Sequence, residues 1–235
     1  MLQPALLIIA GLTMVIGVLG AATQDNIRRI LSFHIISQIG YMIMGIALGT
    51  SLALIGTVYF LIHNMVVKTN LFLIAGWIER AKGTAELKKI GGLYQNNPWI
   101  ACLFLLSALA LVGLPPLSGF WGKLLLVRSG FDDGQYLIAA VALFVGLLTL
   151  VSMTKIWNYA FWKPTPLSIT STNSDEVQLT SLSRIQQWGY FLPILLLTFV
   201  TLGLSFALDP IWASIQTIAD QLNDPQSYIK AVLQE

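Results

Sequence analysis

Long apolar stretches separated by short polar junctions dominate the chain of 235 residues. A membrane-spanning helix needs about 20 largely apolar residues, and several continuous stretches reach that length. They are Leu2–Ala22, Ile27–Gly49, Leu52–Ile78, Gln135–Phe161 and Trp188–Leu208. A further stretch, residues 98–130, is apolar on both sides of a Pro-Pro pair. The pattern predicts an all-α polytopic membrane protein with about six transmembrane helices, one of them broken.

The predicted break lies at Pro115 and Pro116, which have no backbone N–H to continue the helical hydrogen bonds. Ser118 and Gly119 follow directly. A break at membrane depth frees backbone carbonyls, which must find partners in protein or in a water-filled cavity. Transporters place ion sites at interrupted helices of this kind, near the middle of the bilayer. We therefore expect residues 98–130 to form the functional centre of the chain.

Two lysines fall inside the predicted spans. Lys68 is about ten residues, or roughly 15 Å, from the inner end of the third span, and Lys123 follows the break. An ammonium group costs roughly 3 kcal/mol at the centre of a bilayer on insertion scales, so intramembrane lysines point to function. We predict that both relay protons. The alternatives are a buried structural lysine for Lys68 and, for Lys123, a side chain that extends towards the outer face.

Further polar side chains accompany these lysines. Asn64 precedes Lys68 by one helical turn and shares its face, and His63 is one residue earlier. His34 lies in the second span, and Arg28 lies at the start of that span. We assign all four to the candidate proton relay. The alternatives are a buried structural histidine for His34 and, for Arg28, an interfacial charge that fixes the topology.

The composition narrows the class of protein. Charged residues make up 10% of the chain, against about 25% in soluble domains, and the mean hydropathy is +0.75. A net charge of +2 is too small to indicate nucleic-acid binding. With one cysteine no internal disulfide forms, and no Cys/His cluster, phosphate-binding loop or Ser/His/Asp arrangement stands out. The sequence predicts a transporter subunit rather than an enzyme, with no cofactor and no metal site.

Basic residues are concentrated on one side of the predicted helices. Most of the 13 lysines and arginines lie in three places: the junction after the first span, residues 79–97, and the end of the span Gln135–Phe161. The connections on the other side are rich in aspartate. The positive-inside rule then predicts a protein of the cell (inner) membrane with both chain ends on the external side. We expect a cytoplasmic polar loop over residues 162–187 and an external amphipathic tail over residues 209–235.

Three stretches resemble the antiporter-type membrane subunits shared by Mrp cation/proton antiporters and respiratory complex I, and most of all the D-type subunits of the Mrp branch. The similarity covers about residues 5–165, and its motifs are long and jointly specific. The stretches are QDNIRRILSFHIISQIGYMIMGIALG, HNMVVKTNLFLIAGWIERAKGTAELKKIGGL and LPPLSGFWGKLLLVRSGF.

The resemblance implies a fourteen-helix fold with two inverted five-helix repeats, each carrying a lysine in a broken helix. Residues 1–161 would form the second repeat, and residues 188–208 the last helix, so this chain would lack the first repeat. Lys68 falls on the family's central-axis lysine, and Lys123 falls on the lysine or glutamate of the second broken helix. Arg28 stands where relatives commonly have lysine, and Asn64 stands where many have histidine.

Three hypotheses follow for the function. The first is a half-channel subunit that relays protons in a multisubunit antiporter of protons and a monovalent cation such as Na⁺. The second is a proton-pumping membrane-arm subunit of an NADH- or ferredoxin-linked quinone oxidoreductase. The third is a truncated remnant with at most a role in assembly. The expected partners are the other membrane subunits, the missing N-terminal half of the fold and the lipid bilayer.

Overall fold

The computed structural model describes residues 2–164, 184–206, 208–224 and 226–233, and every regular element among them is helical. A short 3₁₀ turn, Leu87–Lys89, lies between α3 and α4, and a π-helical segment, Trp157–Trp162, continues α7. The α-helices are α1 (Leu2–Thr23), α2 (Ile27–Leu48), α3 (Ser51–Lys82), α4 (Leu93–Asn96), α5 (Pro98–Val112), α6 (Ser118–Asp132), α7 (Tyr136–Ile156), α8 (Arg184–Phe206), α9 (Leu208–Asn223) and α10 (Gln226–Leu233).

The predicted number and type of membrane helices are confirmed. The helices α1, α2, α3, α7 with its π-helical end, and α8 are long and apolar enough to cross a membrane. The short apolar helix α5 and the helix α6 together form the broken element. Some boundaries differ from the predictions, because polar residues prolong helices beyond their apolar part: α3 continues to Lys82, and α8 begins at Arg184.

Local capping explains where the second and third helices begin and end. The side chain of Asn26 accepts a hydrogen bond from the backbone N–H of Arg29, which satisfies a free donor of the first turn of α2. At the start of α3, the side-chain oxygen of Thr50 accepts a hydrogen bond from the backbone N–H of Ala53. Gly49 ends α2 in the left-handed conformation, with φ of 65°, which residues with a side chain rarely adopt. The α2–α3 hairpin is therefore fixed by its own sequence.

The helix α3 is central to the bundle. It packs against α2, α5, α6, α8 and α9, whereas α1 packs against α2 and α7. Small residues allow the closest approaches, because association inside a bilayer depends on tight packing. A Cβ added to Gly17 of α1 would lie 2.4 Å from the backbone nitrogen of Ser37 in α2. The candidate residues His63, Asn64 and Lys68 are thus carried by a helix that is packed on several sides.

An ion cluster joins two connections and the end of α7, at the end of the bundle that the charge pattern places inside. The carboxylate of Asp25 accepts hydrogen bonds from the ammonium groups of Lys88, at 2.6 Å, and Lys155, at 2.9 Å. Lys155 also donates to the backbone carbonyl of Gln24 at 2.7 Å. The hydrogen bonds from the two lysines lower the pKa of Asp25 to about 2. The carboxylate therefore stays charged at ordinary pH, and it ties α1 to α7 and to the segment after α3.

The tail, which the sequence predicts to be amphipathic over residues 209–235, is helical in its described part. It forms two helices, α9 and α10, and the sequence has Pro225 between them, a residue that interrupts helices. Ile215 and Ala219 of α9 are buried against Leu54 and Tyr59 of α3, so α9 covers one end of the central helix. Most of the predicted polar loop, residues 165–183, lies outside the described residues.

Candidate functional site

The break between α5 and α6 leaves backbone carbonyls free, as the sequence predicts. The helix α5 ends at Val112, and Gly113 follows with φ of 88°, in the left-handed region. The N–H of Gly113 bonds back to the carbonyls of Leu109 and Ala110, both at 3.1 Å. Exposed prolines 115 and 116 occupy the linker and supply no donor. No backbone N–H of the described residues is therefore directed at the last two carbonyls of α5.

The side chain of Lys123 supplies the donor that these carbonyls lack. Its ammonium donates to the carbonyl of Val112 at 2.7 Å and to that of Leu111 at 3.2 Å. Lys123 lies in the second turn of α6, so its side chain turns back towards the end of α5. The two halves of the broken helix are thus joined through one titratable side chain.

An aromatic ring and a cavity complete the surroundings of Lys123. The ring centroid of Tyr41 in α2 lies 5.3 Å from the ammonium nitrogen, within cation–π range. The Tyr41 hydroxyl donates to the carbonyl of Ala142 in α7. A cavity of about 240 Å³ adjoins the ammonium, between Tyr41, Leu114, Phe120 and residues 142–150 of α7. Sequence reasoning did not identify Tyr41, because its distance from Lys123 depends on how α2 and α6 pack.

His63 of α3 forms a hydrogen bond with the first residue of α6, on the far side of the break. Its Nδ1 lies 2.8 Å from the Oγ of Ser118, the first residue of α6. A Cβ added to Gly119 would lie 2.0 Å from the carbonyl oxygen of Ala110 and 2.8 Å from the Nε2 of His63. Only glycine therefore lets α6 start this close to α5 and α3, which accounts for Ser118 and Gly119 after the prolines.

Lys68 lies on a different surface, in a groove of about 580 Å³ between α2 and α3. The residue is 8% exposed, and its Nζ has no hydrogen-bond partner among the described residues. Asn64 and Gln38 line the same groove, and the Oδ1 of Asn64 and both polar atoms of the Gln38 side chain are also without partners there. Unpaired buried polar atoms are costly, so this groove needs further partners or water.

Arg28 lies in the same groove, on the side nearer the C-terminal end of α3. Its guanidinium forms an ion pair of 2.6 Å with Glu79, and both side chains are about half exposed. Glu79 lies in the last turn of α3, whereas Lys68 lies in the middle of that helix. The sequence separates Arg28 and Glu79 by a whole hairpin, so only the packing of α2 on α3 brings them together.

His34 is directed away from the groove. Its Nε2 lies 2.5 Å from the Oγ of Ser152 in α7, and its Nδ1 has no partner among the described residues. The histidine is fully buried between α2 and α7.

The structure thus separates the predicted relay residues into three environments. They are the break with Lys123 and His63, the groove with Lys68, Asn64 and Arg28, and the α2–α7 contact with His34. The order of polar residues along the chain contains no signal for this division, because it depends on how the helices pack.

A protein-family model described as "NADH:quinone oxidoreductase/Mrp antiporter, TM" matches residues 1–149. Among curated relatives, the D-type subunit of the Na(+)/H(+) antiporter from Alkalihalophilus pseudofirmus is 46% identical over 98% of this chain. The protein of the same name from Bacillus subtilis is 34% identical over 97%. The chain covers 44% of the length of each of these relatives.

Comparison with solved structures shows similarity to the same class of membrane subunits. A chain of the Mrp complex from Dietzia sp. superposes with a TM-score of 0.85 at 35% identity, over 98% of this chain and 49% of that chain. A chain of respiratory complex I from Thermus thermophilus with bound NADH superposes with a TM-score of 0.79 at 25% identity, over 94% of this chain and 44% of that chain. These matches confirm the resemblance found in the sequence, and the chain belongs to the NADH:quinone oxidoreductase/Mrp antiporter family of transmembrane proteins.

Proposed function

We propose that this chain is the C-terminal part of a membrane subunit that relays protons in a multisubunit Na⁺/H⁺ antiporter, through a lysine-based half-channel. The observation that carries the proposal is the ammonium of Lys123 at the break, bound to freed carbonyls beside a cavity. Interrupted helices and intramembrane cations are typical of ion pathways. The similarity to the D-type subunits of Na(+)/H(+) antiporters supports sodium as the cation. The proposed role is transport, and it requires no bond-breaking chemistry.

The two lysines are the proposed relay groups. The ammonium of Lys68 lines the groove between α2 and α3, and that of Lys123 lines the cavity beside α7. Because like charges repel, a proton that arrives at one lysine favours release from the other. His63, which precedes Lys68 on α3, contacts the break through Ser118 and is the proposed link between them.

Asn64, Arg28 and His34 have supporting roles in the proposal. Asn64 keeps an oxygen without a partner among the described residues in the groove beside Lys68, where it can hold water. Arg28, paired with Glu79, is the proposed inner end of the proton path. His34, bonded to Ser152, is the proposed continuation towards α7.

The groove is the proposed contact with helices outside the 235 residues of this sequence. Apolar side chains around Lys68 are exposed, among them Leu61, Met65, Ile35 and Ile39. The curated relatives are more than twice as long as this chain, so further helices of the same subunit or of a partner subunit can cover this face. Those helices would also supply the partner that the Lys68 ammonium lacks among the described residues.

The proposed location is the cell membrane, with both ends of this chain outside. We expect Gln95→Cys and Thr172→Cys to be labelled by an impermeant thiol reagent from the cytoplasmic side, and Gln221→Cys from the external side. Gln95 and Gln221 are exposed, and the lone native Cys102 is replaced by serine in all three variants. The expectation follows from the concentration of basic residues at the inner loops. Labelling of Gln221→Cys from the cytoplasmic side alone would contradict it.

The alternative function is a membrane-arm subunit of a complex I-like quinone oxidoreductase. The superposition on the chain of Thermus thermophilus complex I favours it, because that chain shares the fold over 94% of this one. In that assembly the same lysines would move protons, and redox chemistry in other subunits would drive them.

Everted membrane vesicles that contain the complete assembly distinguish the two functions. For an antiporter, adding Na⁺ alone dissipates an imposed pH gradient, since exchange needs no electron donor. For the oxidoreductase, the gradient changes only when NADH or reduced ferredoxin and a quinone are supplied. A response to the electron donor with none to Na⁺ would overturn the antiporter proposal in favour of the alternative.

A further inference from the structure

The end of α5 has the features of a cation site. Leu111 and Val112 present two carbonyl oxygens at the carboxyl end of a helix, where the helix dipole adds partial negative charge. The neighbouring backbone donors are used elsewhere, because the N–H groups of Gly113 and Leu114 both bond to the carbonyl of Leu109. We call the oxygens of Leu111 and Val112, with the ring of Tyr41 near them, the carbonyl site.

The present occupant of the carbonyl site is itself a monovalent cation. The Lys123 ammonium lies 2.7 and 3.2 Å from the two oxygens and 5.3 Å from the centroid of the Tyr41 ring. Backbone carbonyls replace the hydration shell of monovalent cations in channels, and the face of an aromatic ring attracts cations of any kind. What holds the ammonium can therefore also hold a free monovalent ion.

The adjoining cavity has room for the remaining ligands of such an ion. Its volume of about 240 Å³ is several times the roughly 30 Å³ that one water molecule occupies in the liquid. The described residues that line it include no carboxylate. Divalent cations such as Ca²⁺ and Mg²⁺ are usually held by carboxylates, so the lining favours a monovalent ion that keeps part of its water shell.

We propose that the carbonyl site binds the transported monovalent cation, and that the Lys123 ammonium competes with this cation for the same oxygens. The proposal rests on the proposed antiport function and names the cation site within it. Two positive charges cannot share these oxygens without strong repulsion. Loss of the proton from Lys123 frees the carbonyls and removes the repelling charge, so the cation binds. Uptake of a proton returns the ammonium and expels the cation, which makes the exchange obligatory.

Few other titratable groups among the described residues lie near Lys123 and the carbonyl site. From α2 the group is Tyr41, whose hydroxyl donates to the carbonyl of Ala142. From α3 the groups are His63, which is bonded to Ser118, and Lys68, which lines the groove between α2 and α3. The described residues of α5 and α7 that line the cavity carry no titratable side chain. Lys123 is thus the group whose proton decides the net charge at the carbonyl site.

The test measures equilibrium binding of radioactive sodium ion to the purified complete assembly as a function of pH. In the unaltered protein, the apparent affinity should fall about tenfold for each unit of falling pH across the titration of Lys123, because one proton displaces one cation. Lys123→Met, which has no charge, should keep sodium binding and lose this pH dependence. Lys123→Arg, whose charge is permanent, should lose sodium binding at every pH.

Arg128→Leu is the matched control, because it removes the other cation of α6, which is largely exposed, and leaves the carbonyl site intact. It should keep the pH dependence of the unaltered protein. A sodium affinity that does not change between about pH 6 and pH 10 in the unaltered protein would overturn the proposal. Full pH dependence of sodium binding in Lys123→Met would also overturn it, and so would normal sodium binding in Lys123→Arg. If sodium binding competes as proposed while the vesicles show no Na⁺-driven exchange, the antiport function fails and the cation site stands.

Discussion

Lys68→Ala is expected to abolish proton-coupled transport without preventing membrane insertion. Among the described residues, the ammonium of Lys68 is the one titratable group that lines the middle of the groove between α2 and α3, and alanine cannot carry a proton. A positioned proton-transfer group typically contributes between about 100-fold and 10,000-fold to a rate, so we expect a fall of at least about 100-fold. Removal of a charge from membrane depth should ease insertion, which separates a transport defect from a folding defect.

The measurement is the cation-induced pH change in everted vesicles that contain the complete assembly, with the amount of assembled protein determined in parallel. Lys82→Ala is the matched control, since Lys82 ends the same helix and does not line the groove. It should transport at the rate of the unaltered protein. If Lys68→Ala does so as well, Lys68 is a structural lysine and the proposed half-channel has lost its central group.

Lys123→Leu is expected to lose transport as completely, whereas Lys123→Glu should retain measurable transport with an altered pH dependence. The proposed role needs a side chain that gains and loses a proton next to the carbonyls of Leu111 and Val112. A protonated glutamate can donate to such a carbonyl and leucine cannot. We expect a loss of about 100-fold or more for leucine, the scale of a missing proton-transfer group.

Pro116→Ala should impair transport less than Lys123→Leu does, because it restores one backbone donor in the exposed linker and leaves Lys123 in place. Arg128→Leu is the control for loss of a cation from α6, since Arg128 is largely exposed and its ion pair with Asp132 is long, at 3.7 Å. Full activity of an assembled Lys123→Leu complex in the vesicle assay would reduce Lys123 to a structural cation and remove the break from the pathway.

The broken helix shows how far local sequence determines this protein. Hydropathy and length predict the membrane helices because a span must be apolar whatever it packs against. Pro115 and Pro116 predict the break because they lack a donor in any environment. The positions of Lys68 and Lys123 within apolar stretches identify both as candidates before any neighbour is known. These are properties of single helices in a bilayer, so the sequence by itself determined them.

The neighbours of each candidate were decided by tertiary structure alone. Tyr41 lies beside Lys123 because α2 packs against α6, and Arg28 reaches Glu79 because α2 lies along α3. His34 faces α7 and not the groove, although the sequence places it in the helix next to that of Lys68. The rotation and crossing of helices depend on contacts between residues far apart in the chain, and such contacts leave no periodic signal in the sequence. The carbonyl partners of Lys123 were therefore known only once the two half-helices were seen together.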